Sequence, residues 1–557
     1  MNKIIVDSKE YFTEKKTIME ALDEVGIEVP RLCKHPDLEA IGSCRLCLVE
    51  VNGRILTSCN TLVQDGMNIE TYTERVIKKR QENLKLIIES HNVECLTCFR
   101  NNTCELQDLS SKYSVDNLKK GKQRPKELDN SSYSIVRDSS KCILCGRCVE
   151  VCKNQGIEAI DFSSRGFKTK IIAGFSDKIA DTNCISCGQC VLYCPTGALT
   201  EKDDRKEVLS FIANKKIITF AQIAPAIRVS LSDEYNIPER IITKKLVSAL
   251  KMIGFDYVID TSFGADLTIM EEANELIERL GKKELMFTSC CPAWINFVET
   301  QRKDYIKNLS SCKSPHQMVG AVVKGYLAKK IGLDPKEIKV VSIMPCVAKK
   351  DEIQRTIQKN DGIVNVDNVI TTRELIHLLN EEGINLKEMP ETEVDFFGYS
   401  SAGEIFAKSG GVMEAAIRTA NFLVDKDLEE PSINEVKHIK DYKRFDLNIA
   451  GTIIKVGIVN GMGNFIKHEK EIMELDFVEV MACPGGCIGG GGQPQPHSLQ
   501  DVKKRKLDII KKDKESDLRM SHQNPDIIKL YHDFLKHPGS KEAEEYLHTR
   551  YFYRKLN

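Results

Sequence analysis

Residues 142–152 read CILCGRCVEVC, and residues 184–195 repeat the pattern as CISCGQCVLYCP. In both runs the cysteines follow the spacing C-x2-C-x2-C-x3-C. The chain has 21 cysteines among 557 residues, and a reducing cytosol does not maintain structural disulfides. Cysteines clustered in this way predict metal ligands or catalytic thiols, and their spacing decides between the two.

The spacing of the two runs is typical of bacterial two-cluster ferredoxins, in which the fourth cysteine of each run ligates the other cluster. Two runs with this spacing are too specific to be explained by chance. One 4Fe-4S cluster is therefore expected on Cys142, Cys145, Cys148 and Cys194, and a second on Cys184, Cys187, Cys190 and Cys152. Lys153 stands where the pattern would have proline, which is a small departure.

Another cysteine group lies nearer the amino terminus, in the pattern C-x10-C-x2-C-x11-C. Its members are Cys33, Cys44, Cys47 and Cys59. Short, partly β-branched runs separated by glycine or polar turns surround the group and predict a small β-rich domain. The group resembles a 2Fe-2S ferredoxin-like module, although its first interval is longer than in the plant-type spacing. A zinc site is the alternative.

The stretch HNVECLTCFRNNTC supplies a mixed set of candidate ligands, namely His91, Cys95, Cys98 and Cys104. Just before it, apolar residues at helical spacing predict a helix within residues 73–90. Three cysteines and one histidine are a common structural zinc set. The H-x3-C-x2-C-x5-C arrangement, however, resembles the His-ligated 4Fe-4S site of hydrogenases and of a large subunit of respiratory NADH dehydrogenase. We therefore expect a third accessory 4Fe-4S cluster here.

The remaining composition is that of an ordinary soluble protein, with 41% hydrophobic and 29% charged residues. A formal net charge of -1 gives no basis for a nucleic-acid or acidic-membrane partner. No run approaches the ~18 apolar residues of a membrane span, and the first residues lack an apolar export signal. We expect a cytoplasmic protein in which one-electron centres in series relay electrons.

From about residue 207 onward, longer apolar segments alternate with helical patterns. The segments predicted as buried strands are KKIITFAQIAP, ELMFTSC, IKVVSIMPC, EVDFFGYS and IIKVGIVNG. The segments predicted as helices are ITKKLVSALKMIG, DLTIMEEANELIERLG, KSPHQMVGAVVKGYLAKKIG and GGVMEAAIRTANFLV. This alternation predicts an α/β domain, whose site should lie beyond the carboxyl ends of strands.

Three cysteine-bearing segments follow strand-like runs in this part of the chain: TSCCPAW (288–294), MPCVAKK (344–350) and EVMACPGGCIGGGGQP (479–494). They resemble the three signature segments of the iron-only (FeFe) hydrogenases, and with the upstream cysteine groups the resemblance covers nearly the whole chain. It implies interconversion of H2 with two protons and two electrons. It also implies an H-cluster, which joins a 4Fe-4S cubane to a diiron unit with carbon monoxide, cyanide and a bridging dithiolate.

The resemblance further implies roles for individual residues. The cubane ligands would be Cys291, Cys346, Cys483 and Cys487, with Cys487 also bridging to the diiron unit. Residues lining the cofactor would be Met344, Met481, Pro225 and Ala226, with Lys349 beside an anionic ligand. A proton path would run through Cys290, Glu272, Ser310, Glu275 and Arg279. The spacing of the two glutamates and the arginine, taken alone, favours a solvated helix face instead.

All cysteines except Cys290 and Cys312 then have a place in a ligand set. We interpret Cys312 as a small buried residue. Other departures from the usual family pattern are Ala293 for glycine, Ala226 for serine and His316 for glutamine, together with Lys408 in SSAGEIFAKSGGVMEAA. None removes a ligand, but they would change hydrogen bonding around the site.

The sequence therefore predicts a multidomain protein of α+β and α/β class. The expected boundaries are 1–78 for a ferredoxin-like β-rich 2Fe-2S domain, 79–125 for a His/Cys 4Fe-4S domain, 126–206 for a two-cluster ferredoxin domain and 207–557 for the catalytic domain. Residues 493–557 resemble the small-subunit region that is a separate chain in some hydrogenases. Their helical periodicity predicts that they wrap over the catalytic domain.

Expected cofactors are one 2Fe-2S cluster, three accessory 4Fe-4S clusters and the H-cluster. No GxGxxG-type nucleotide site stands out, so an external carrier is expected, most simply ferredoxin. The resemblance also implies dedicated maturases. The rival interpretations are an iron–sulfur assembly protein, an electron-transfer subunit of an NADH-linked complex and a bifurcating hydrogenase subunit.

Overall fold

The computed structural model describes residues 1–115, 124–424, 433–439, 442–449, 452–495 and 497–555, with only the backbone described at 433–439. The chain divides into two compact units. The first comprises residues 1–153, 158–181 and 193–200, and the second comprises residues 154–157, 182–192 and 201–557. Among the described helices, none is long and apolar enough to cross a membrane.

The first unit begins with the predicted β-rich region. Its sheet has the strand order Lys9–Thr13, Asn2–Val6, Met67–Glu70, Leu48–Val51 and Arg54–Thr57. The helix Ile18–Glu24 begins with a capping box, in which Thr17 and Glu20 satisfy each other's backbone amides. Ile4, Val49 and other apolar residues that alternate along the strands form the core between this helix and the sheet.

The helix predicted before the His/Cys stretch is confirmed as Glu74–Ser90. Its Val76, Leu84 and Ile88 are buried at helical spacing, and the guanidinium of Arg80 donates to the carbonyl of Leu48. The rest of this unit consists of short elements. They are the helices Cys95–Thr97 (3-10), Glu105–Lys112, Ser139–Lys141 (3-10), Arg147–Asn154, Gly166–Lys168 (3-10) and Ile179–Asp181 (3-10), and the strands Leu128–Asp129, Ile135–Asp138, Ile160–Ser163, Lys170–Ala173 and Leu199–Glu201.

The second unit contains two larger sheets, as expected of an α/β domain. One is a parallel sheet with the strand order Tyr257–Asp260, Ile218–Ile223, Ile338–Met344 and Asn368–Thr371. The other has the order Met286–Phe287, Phe477–Met481, Thr452–Asn460, Tyr442–Ile449 and Ile433–Ile439. Its first three strands are parallel to one another, and the last two add antiparallel partners.

Helices cover these sheets, which explains why the strands are nearly continuous apolar runs. The described helices of the unit are Gln189–Leu192, Arg205–Ala213, Pro225–Tyr235, Glu239–Ile253, Thr261–Lys282, Pro292–Gln301, Lys303–Asn308 (3-10), Pro315–Val322, Val323–Leu327 (π), Ala328–Ile331, Pro335–Glu337 (3-10), Ala348–Glu352, Thr372–Glu381, Ser401–Glu404, Ile405–Ala407 (3-10), Gly411–Val424, Met462–Ile472, Cys487–Gly489 (3-10), Leu499–Glu515, Ser521–Gln523 (3-10), Pro525–Leu530, Tyr531–Leu535 (π) and Lys541–Leu547. A small hairpin pairs Lys359–Asn360 with Ile363–Val364.

Two sequence predictions differ from the structure. The segment EVDFFGYS (393–400) is irregular and not a strand, because Phe396 has a positive φ of 72° and the Asp395 carboxylate accepts from the Val258 amide. The helix predicted over 313–332 contains a π-helical turn at Val323–Leu327. There Gly325 lies against the ring of Tyr546, which a larger residue would not allow.

Candidate active site

An apolar cavity lies where the carboxyl ends of four parallel strands meet. Two of these strands, ending at Ile223 and Met344, belong to the first sheet of the second unit. The other two, ending at Phe287 and Met481, belong to the second sheet. Ligand sites of α/β folds lie outside such strand ends, so this position agrees with the expectation from the sequence.

The cavity is lined by every residue that the sequence placed beside the H-cluster. Those residues are Pro225, Ala226, Cys290, Cys291, Met344, Cys346, Lys349, Met481, Cys483 and Cys487. The four predicted cubane ligands come from three segments that are far apart in the chain, and the fold brings them to one place. Their role as ligands remains a prediction, which the chemistry of the cavity supports.

Local backbone geometry explains how the cysteine segments reach the cavity. Cys291 is the residue before the helix Pro292–Gln301, and proline at the first helical position suits this abrupt start. Gly486 has a positive φ of 90°, and a Cβ there would lie 2.6 Å from the backbone nitrogen of Ser409. Glycine at this position therefore lets the turn between Cys483 and Cys487 pack against a neighbouring chain segment.

The electrostatics of the four thiols favour a bound cationic group. Burial raises the pKa of each predicted ligand, to about 12 for Cys346 and well above the usual value for Cys483. The nearby sulfurs would repel one another as thiolates and add to this effect, whereas Lys349 opposes it at Cys346. Four buried thiolates need compensation, and iron ions supply it. The residues present therefore fit an iron–sulfur cubane with an apolar surround.

Lys349 is held in place by a buried network. Its Nζ lies 2.7 Å from a carboxylate oxygen of Glu352 and donates to the carbonyl of Cys290 at 3.3 Å. Burial alone would raise the pKa of Glu352, but the charge of Lys349 and the hydrogen bond from His316 hold it far below its usual range. A fixed ammonium group beside an anionic ligand is thus oriented by a permanently charged carboxylate.

His316, one of the departures from the family pattern, belongs to this network. Its Nε2 lies 2.8 Å from Glu352, and its Nδ1 lies 3.0 Å from the hydroxyl of Ser342. Burial, reinforced by the charge of Lys349, lowers the pKa of His316 to about 4. The ring is therefore neutral at neutral pH and acts through hydrogen bonds rather than through charge.

The first part of the predicted proton path is buried. Cys290 lines the cavity, and burial raises its pKa well above the usual value, with the charge of Glu272 adding to the effect. Glu272 is itself fully buried on the helix Thr261–Lys282, and burial followed by the charge of Glu275 raises its pKa to about 8. Neither of its carboxylate oxygens makes a well-formed hydrogen bond among the described residues, although the Ser289 amide and the Ser310 hydroxyl lie near enough to lower its pKa in part. Glu272 therefore holds a proton at neutral pH.

The second part of the predicted path is connected by hydrogen bonds. The hydroxyl of Ser310 donates to Oε2 of Glu275 at 2.8 Å, and Arg279 donates to Oε1 at 2.6 Å. The side chains of Glu275 and Arg279 are only 13% and 14% exposed. The solvated-face interpretation of this helix is therefore wrong, because Glu272 is buried and the other two are largely covered.

Sequence reasoning missed Ser311 and His548, which lie beside Glu275 and belong to no local motif. The hydroxyl of Ser311 lies 3.3 Å from Oε2 of Glu275 and 2.8 Å from Nδ1 of His548. Cys312, expected to be a small buried residue, is fully buried, with its sulfur 3.8 Å from the same carboxylate oxygen. No signal could have found His548, because 237 positions separate it from Ser311.

The tail that contains His548 packs on the helix Thr261–Lys282, which also carries Glu275. Its Ser521 and Asn524 donate to the buried carboxylate of Asp266, and Tyr531 donates to Glu271. These contacts support the expectation that residues 493–557 pack over the catalytic domain, which stays a prediction for the segment as a whole.

The predicted 2Fe-2S ligands lie in the first unit. The sulfurs of Cys33 and Cys44 are 3.3 Å apart, close enough to bind one iron. A hydrogen bond with Cys59 is the largest cause that lowers the pKa of Cys47, to about 7. The structure thus brings these four cysteines together in two adjacent pairs.

The predicted His/Cys site is less closely connected. Burial lowers the pKa of His91 to about 4, so its ring is neutral, and its buried Nδ1 has no hydrogen-bond partner among the described residues. A neutral imidazole with a free nitrogen suits metal ligation. Burial raises the pKa of Cys104 to about 11, with a smaller effect from Cys98. Cys95 lies nearby at the start of the turn Cys95–Thr97.

The two ferredoxin-type runs share one local geometry. In the first run the amide of Leu144 donates to the sulfur of Cys142 at 3.4 Å, and in the second the amide of Ser186 donates to that of Cys184 at 3.4 Å. Leu144 and Ser186 both have positive φ. The backbone turns of the runs are thus equivalent, as the repeated spacing predicts.

The four cysteines assigned to the first of these clusters line one cavity of about 360 Å³ in the first unit: Cys142, Cys145, Cys148 and Cys194. The second predicted set is divided, with Cys152 in the first unit and Cys184, Cys187 and Cys190 in the second.

Within the second unit, the second run lies directly against the catalytic segments. A Cβ on Gly188 would lie 2.6 Å from a methyl group of Val347, and the side-chain amide of Gln189 donates to the carbonyl of Gly489 at 3.0 Å. Cys187 is also near enough to Cys483 to affect its pKa. A cluster on Cys187 would therefore be a neighbour of the cavity.

Five family models match successive parts of the chain. They are a 2Fe-2S iron–sulfur cluster binding domain (3–74), an NADH-ubiquinone oxidoreductase-G iron–sulfur binding region (80–119), a 4Fe-4S dicluster domain (141–198), the C-terminal domain of the iron only hydrogenase large subunit (217–491) and the iron hydrogenase small subunit (500–554).

Whole-chain relatives agree with these matches. The chain is 39% identical to the NADP-reducing hydrogenase subunit HndD of Solidesulfovibrio fructosivorans, over 97% of each chain. It is 36% identical to iron hydrogenase 1 of Clostridium pasteurianum, over 99% of this chain and 100% of that protein. A solved FeFe-hydrogenase HydA1 variant from Chlamydomonas reinhardtii aligns with 63% of this chain and 99% of its own, at 37% identity and a TM-score of 0.57.

Proposed function

The chain belongs to the iron-only hydrogenase family, and from that membership we propose that it interconverts H2 with two protons and two electrons. The observation that carries the proposal is the cavity at the four strand ends. It gathers four candidate ligand cysteines and, beside them, a fifth cysteine, Cys290, at the start of a route of proton-carrying side chains.

We propose that the cavity holds the H-cluster. Its cubane would be bound by Cys291, Cys346, Cys483 and Cys487, with Cys487 also bridging to the diiron unit. When bound, this group supplies the site at which electrons combine with protons. The apolar side chains of Met344 and Met481 exclude water around it, and Lys349 contributes a fixed positive charge.

The protein's own side chains move the proton. In the direction of H2 production, Glu275 passes a proton to the Ser310 hydroxyl as that hydroxyl gives its own proton to Glu272. Glu272, protonated at neutral pH, then supplies Cys290, whose thiol delivers to the cavity. Arg279 orients Glu275 through its hydrogen bonds of 2.6 and 3.0 Å to Oε1.

Electrons would pass through one 2Fe-2S cluster and three 4Fe-4S clusters bound by the predicted ligands. The contact of the 184–190 segment with the catalytic segments supports a cluster on Cys187 as the last step before the cavity. We retain the boundaries 1–78, 79–125, 126–206 and 207–557 as proposed domains of this relay. A cytoplasmic location and loading by dedicated maturases are parts of the same proposal.

The electron carrier is proposed to be ferredoxin or a similar small protein. A second candidate is the role of a subunit in a nicotinamide-linked hydrogenase, which is favoured by the 39% identity to a relative named as an NADP-reducing hydrogenase subunit. Comparing reduced ferredoxin with NADPH as the sole electron source for the purified chain separates the two. Reduced ferredoxin should support H2 evolution by the purified chain under the first candidate, whereas under the second neither reduced ferredoxin nor NADPH should do so until other subunits are added.

The decisive experiment uses the full chain loaded with the diiron unit. We expect H2 evolution from reduced methyl viologen, together with infrared bands of metal-bound carbon monoxide and cyanide. Cys346→Ala serves as the matched control and should lose both the bands and the activity. Bands without H2 evolution would reject the hydrogenase proposal, and the absence of both after maturation would favour an assembly role.

A further inference from the structure

A second chain of hydrogen bonds leaves Glu275 in a direction that the proposed path does not use. The hydroxyl of Ser311 lies 3.3 Å from Oε2 of Glu275, and its amide donates to the same oxygen at 3.0 Å. The Ser311 hydroxyl is also 2.8 Å from Nδ1 of His548, and Nε2 of His548 lies 3.0 Å from Oε2 of Glu271.

This second chain ends at an open surface groove. Ser311 and His548 both line that groove, which has a volume of about 810 Å³. The side chain of His548 is 14% exposed, whereas Glu271 behind it is fully buried. The ring thus stands between a buried carboxylate and water, which is the position a proton-exchanging group requires.

We infer that Ser311 and His548 form a second proton outlet from Glu275 to the groove, in parallel with the outlet at Arg279. This inference rests on the proposed function, since it adds a branch to the proton path of the same site. Histidine suits the role because it is the side chain that most readily gains and loses a proton near neutral pH.

The proton balance of one transfer is simple. A protonated His548 gives its Nδ1 proton to the Ser311 hydroxyl as that hydroxyl gives its own proton to Oε2 of Glu275. The ring is left neutral, with its Nε2 proton donated to Glu271. It regains a proton from groove water when it turns out of contact with Ser311. One proton has then moved inward, and no electron has moved.

Charged groups surround His548 on its inner side and along the groove. On its inner side it faces the carboxylates of Glu271 and Glu275, with the thiol of Cys312 nearby and the Tyr531 hydroxyl donating to Glu271. The charged groups that line the groove are Lys359, Lys541, Glu544, Glu545 and Arg550. The groove therefore presents charges of both signs to the open side of the ring.

The test compares His548→Ala and His548→Gln in the loaded, full-length protein. Glutamine can still hydrogen-bond to Ser311 and Glu271, but it does not carry a proton at neutral pH. Because the outlet at Arg279 remains, both variants should lose about twofold in H2 evolution if the two outlets carry similar proton flux, far below the roughly 10²–10⁴-fold effect of losing a general acid–base group. Both should also lose one limb of the pH–rate profile.

Chemical rescue and a matched control sharpen this test. Added imidazole should restore turnover in His548→Ala, because the groove is open to small molecules. Lys541→Gln alters a charge in the same groove without touching the hydrogen-bonded chain and should leave the profile unchanged. Wild-type rates and profiles in both His548 variants would overturn the branch. So would a loss confined to His548→Ala, because that pattern indicates a structural role.

A further measurement separates failure of the branch from failure of the proposed function. Since Glu272 is protonated at neutral pH, its carboxyl band in the infrared spectrum shifts in D2O, and Glu272→Gln identifies that band. Exchange should be slower in both His548 variants, even in protein that lacks the H-cluster. Unchanged exchange in the variants would overturn the branch. If exchange is slower in both variants but the loaded wild type makes no H2, only the proposed activity is rejected.

Discussion

The two ferredoxin-type runs and the three catalytic segments place the same side chain in different ways. In the runs, four cysteines fall within 11 residues, and local turns with positive φ at Leu144 and Ser186 set their positions. In the catalytic segments, the cysteines meet only because parallel strands end at one place. A site assembled by the fold can add a cysteine that is not a ligand, and in the proposed assignment Cys290 is that addition.

The strongest test of this contrast removes Cys290. In Cys290→Ala the predicted ligands all remain, so iron content and infrared bands should be unchanged. H2 evolution should fall by roughly 10²–10⁴-fold, because the first proton carrier is lost. Viologen-driven gas production measures the effect.

The other leftover thiol provides the matched control. Cys312 is also buried and belongs to no ligand set, but the proposed path does not pass through its sulfur. Cys312→Ala should retain most of the turnover. Equal losses in the two variants would show that general packing, not proton transfer, explains the first result.

The next effect concerns pH. Burial raises the pKa of Glu272 from 4.5 to about 8, so the carboxyl loses its proton as the pH rises through about 8. H2 production should decline over that range. Because the folded state holds this proton more tightly than the unfolded state, folding stability also decreases as the pH rises from about 4.5 to about 8.

Glu272→Gln separates these two consequences. The variant should be nearly inactive, yet its melting temperature should decrease less between pH 6 and pH 9 than that of the wild type. If the melting temperature of the variant decreases between pH 6 and pH 9 by as much as that of the wild type, Glu272 is not a buried, protonated carboxyl.

A smaller effect is expected from Cys145→Ser in the first ferredoxin-type run. Local geometry should confine the damage to one 4Fe-4S cluster, seen as a reduced iron content and a missing electron paramagnetic resonance signal. Ferredoxin-driven H2 evolution should fall sharply, while viologen-driven evolution, which can bypass the relay, should be largely retained. Loss of the infrared bands of the catalytic cofactor would contradict this separation.

The smallest expected effect is a difference in the free energy of unfolding between alanine variants at equivalent glycines of the two runs. Gly146 and Gly188 have φ of 76° and 71°, so alanine strains the backbone equally at both positions. At Gly188 the new methyl group also meets Cβ of Val347 and the backbone of Gly491, whereas at Gly146 it meets only flexible side-chain ends. Gly188→Ala should therefore lower the free energy of unfolding by about 1–3 kcal/mol more than Gly146→Ala. Chemical denaturation measures the difference, and equal values would argue against close packing at Gly188.

The same contrast explains what could be predicted from the sequence. Features encoded within a few residues were predicted well, such as the helix Glu74–Ser90 and the repeated turns of the cysteine runs. The alternating pattern of 393–400 predicted a strand, but Phe396 at positive φ and the side-chain contacts of Asp395 prevent one. Tertiary contacts overrode local preference there.

In the site, family resemblance supplied Cys290, Glu272 and the cavity residues, which the fold does bring together. Spacing alone favoured a solvated helix face, because it cannot reveal that other segments cover Glu272. His548 was missed for the same reason. Its significance depends on Ser311 and Glu271, which lie more than 200 positions earlier in the chain.

The buried carboxylate of Asp266 has a consequence for synthesis of the protein. It accepts hydrogen bonds from Ser400, Ser521 and Asn524, which the ribosome makes long after Asp266 itself. Until residues 521–524 emerge, this carboxylate on the helix Thr261–Lys282 stays hydrated, and the helix cannot reach its final burial. Final burial of this carboxylate therefore requires residues that are synthesised 255 and 258 positions after it.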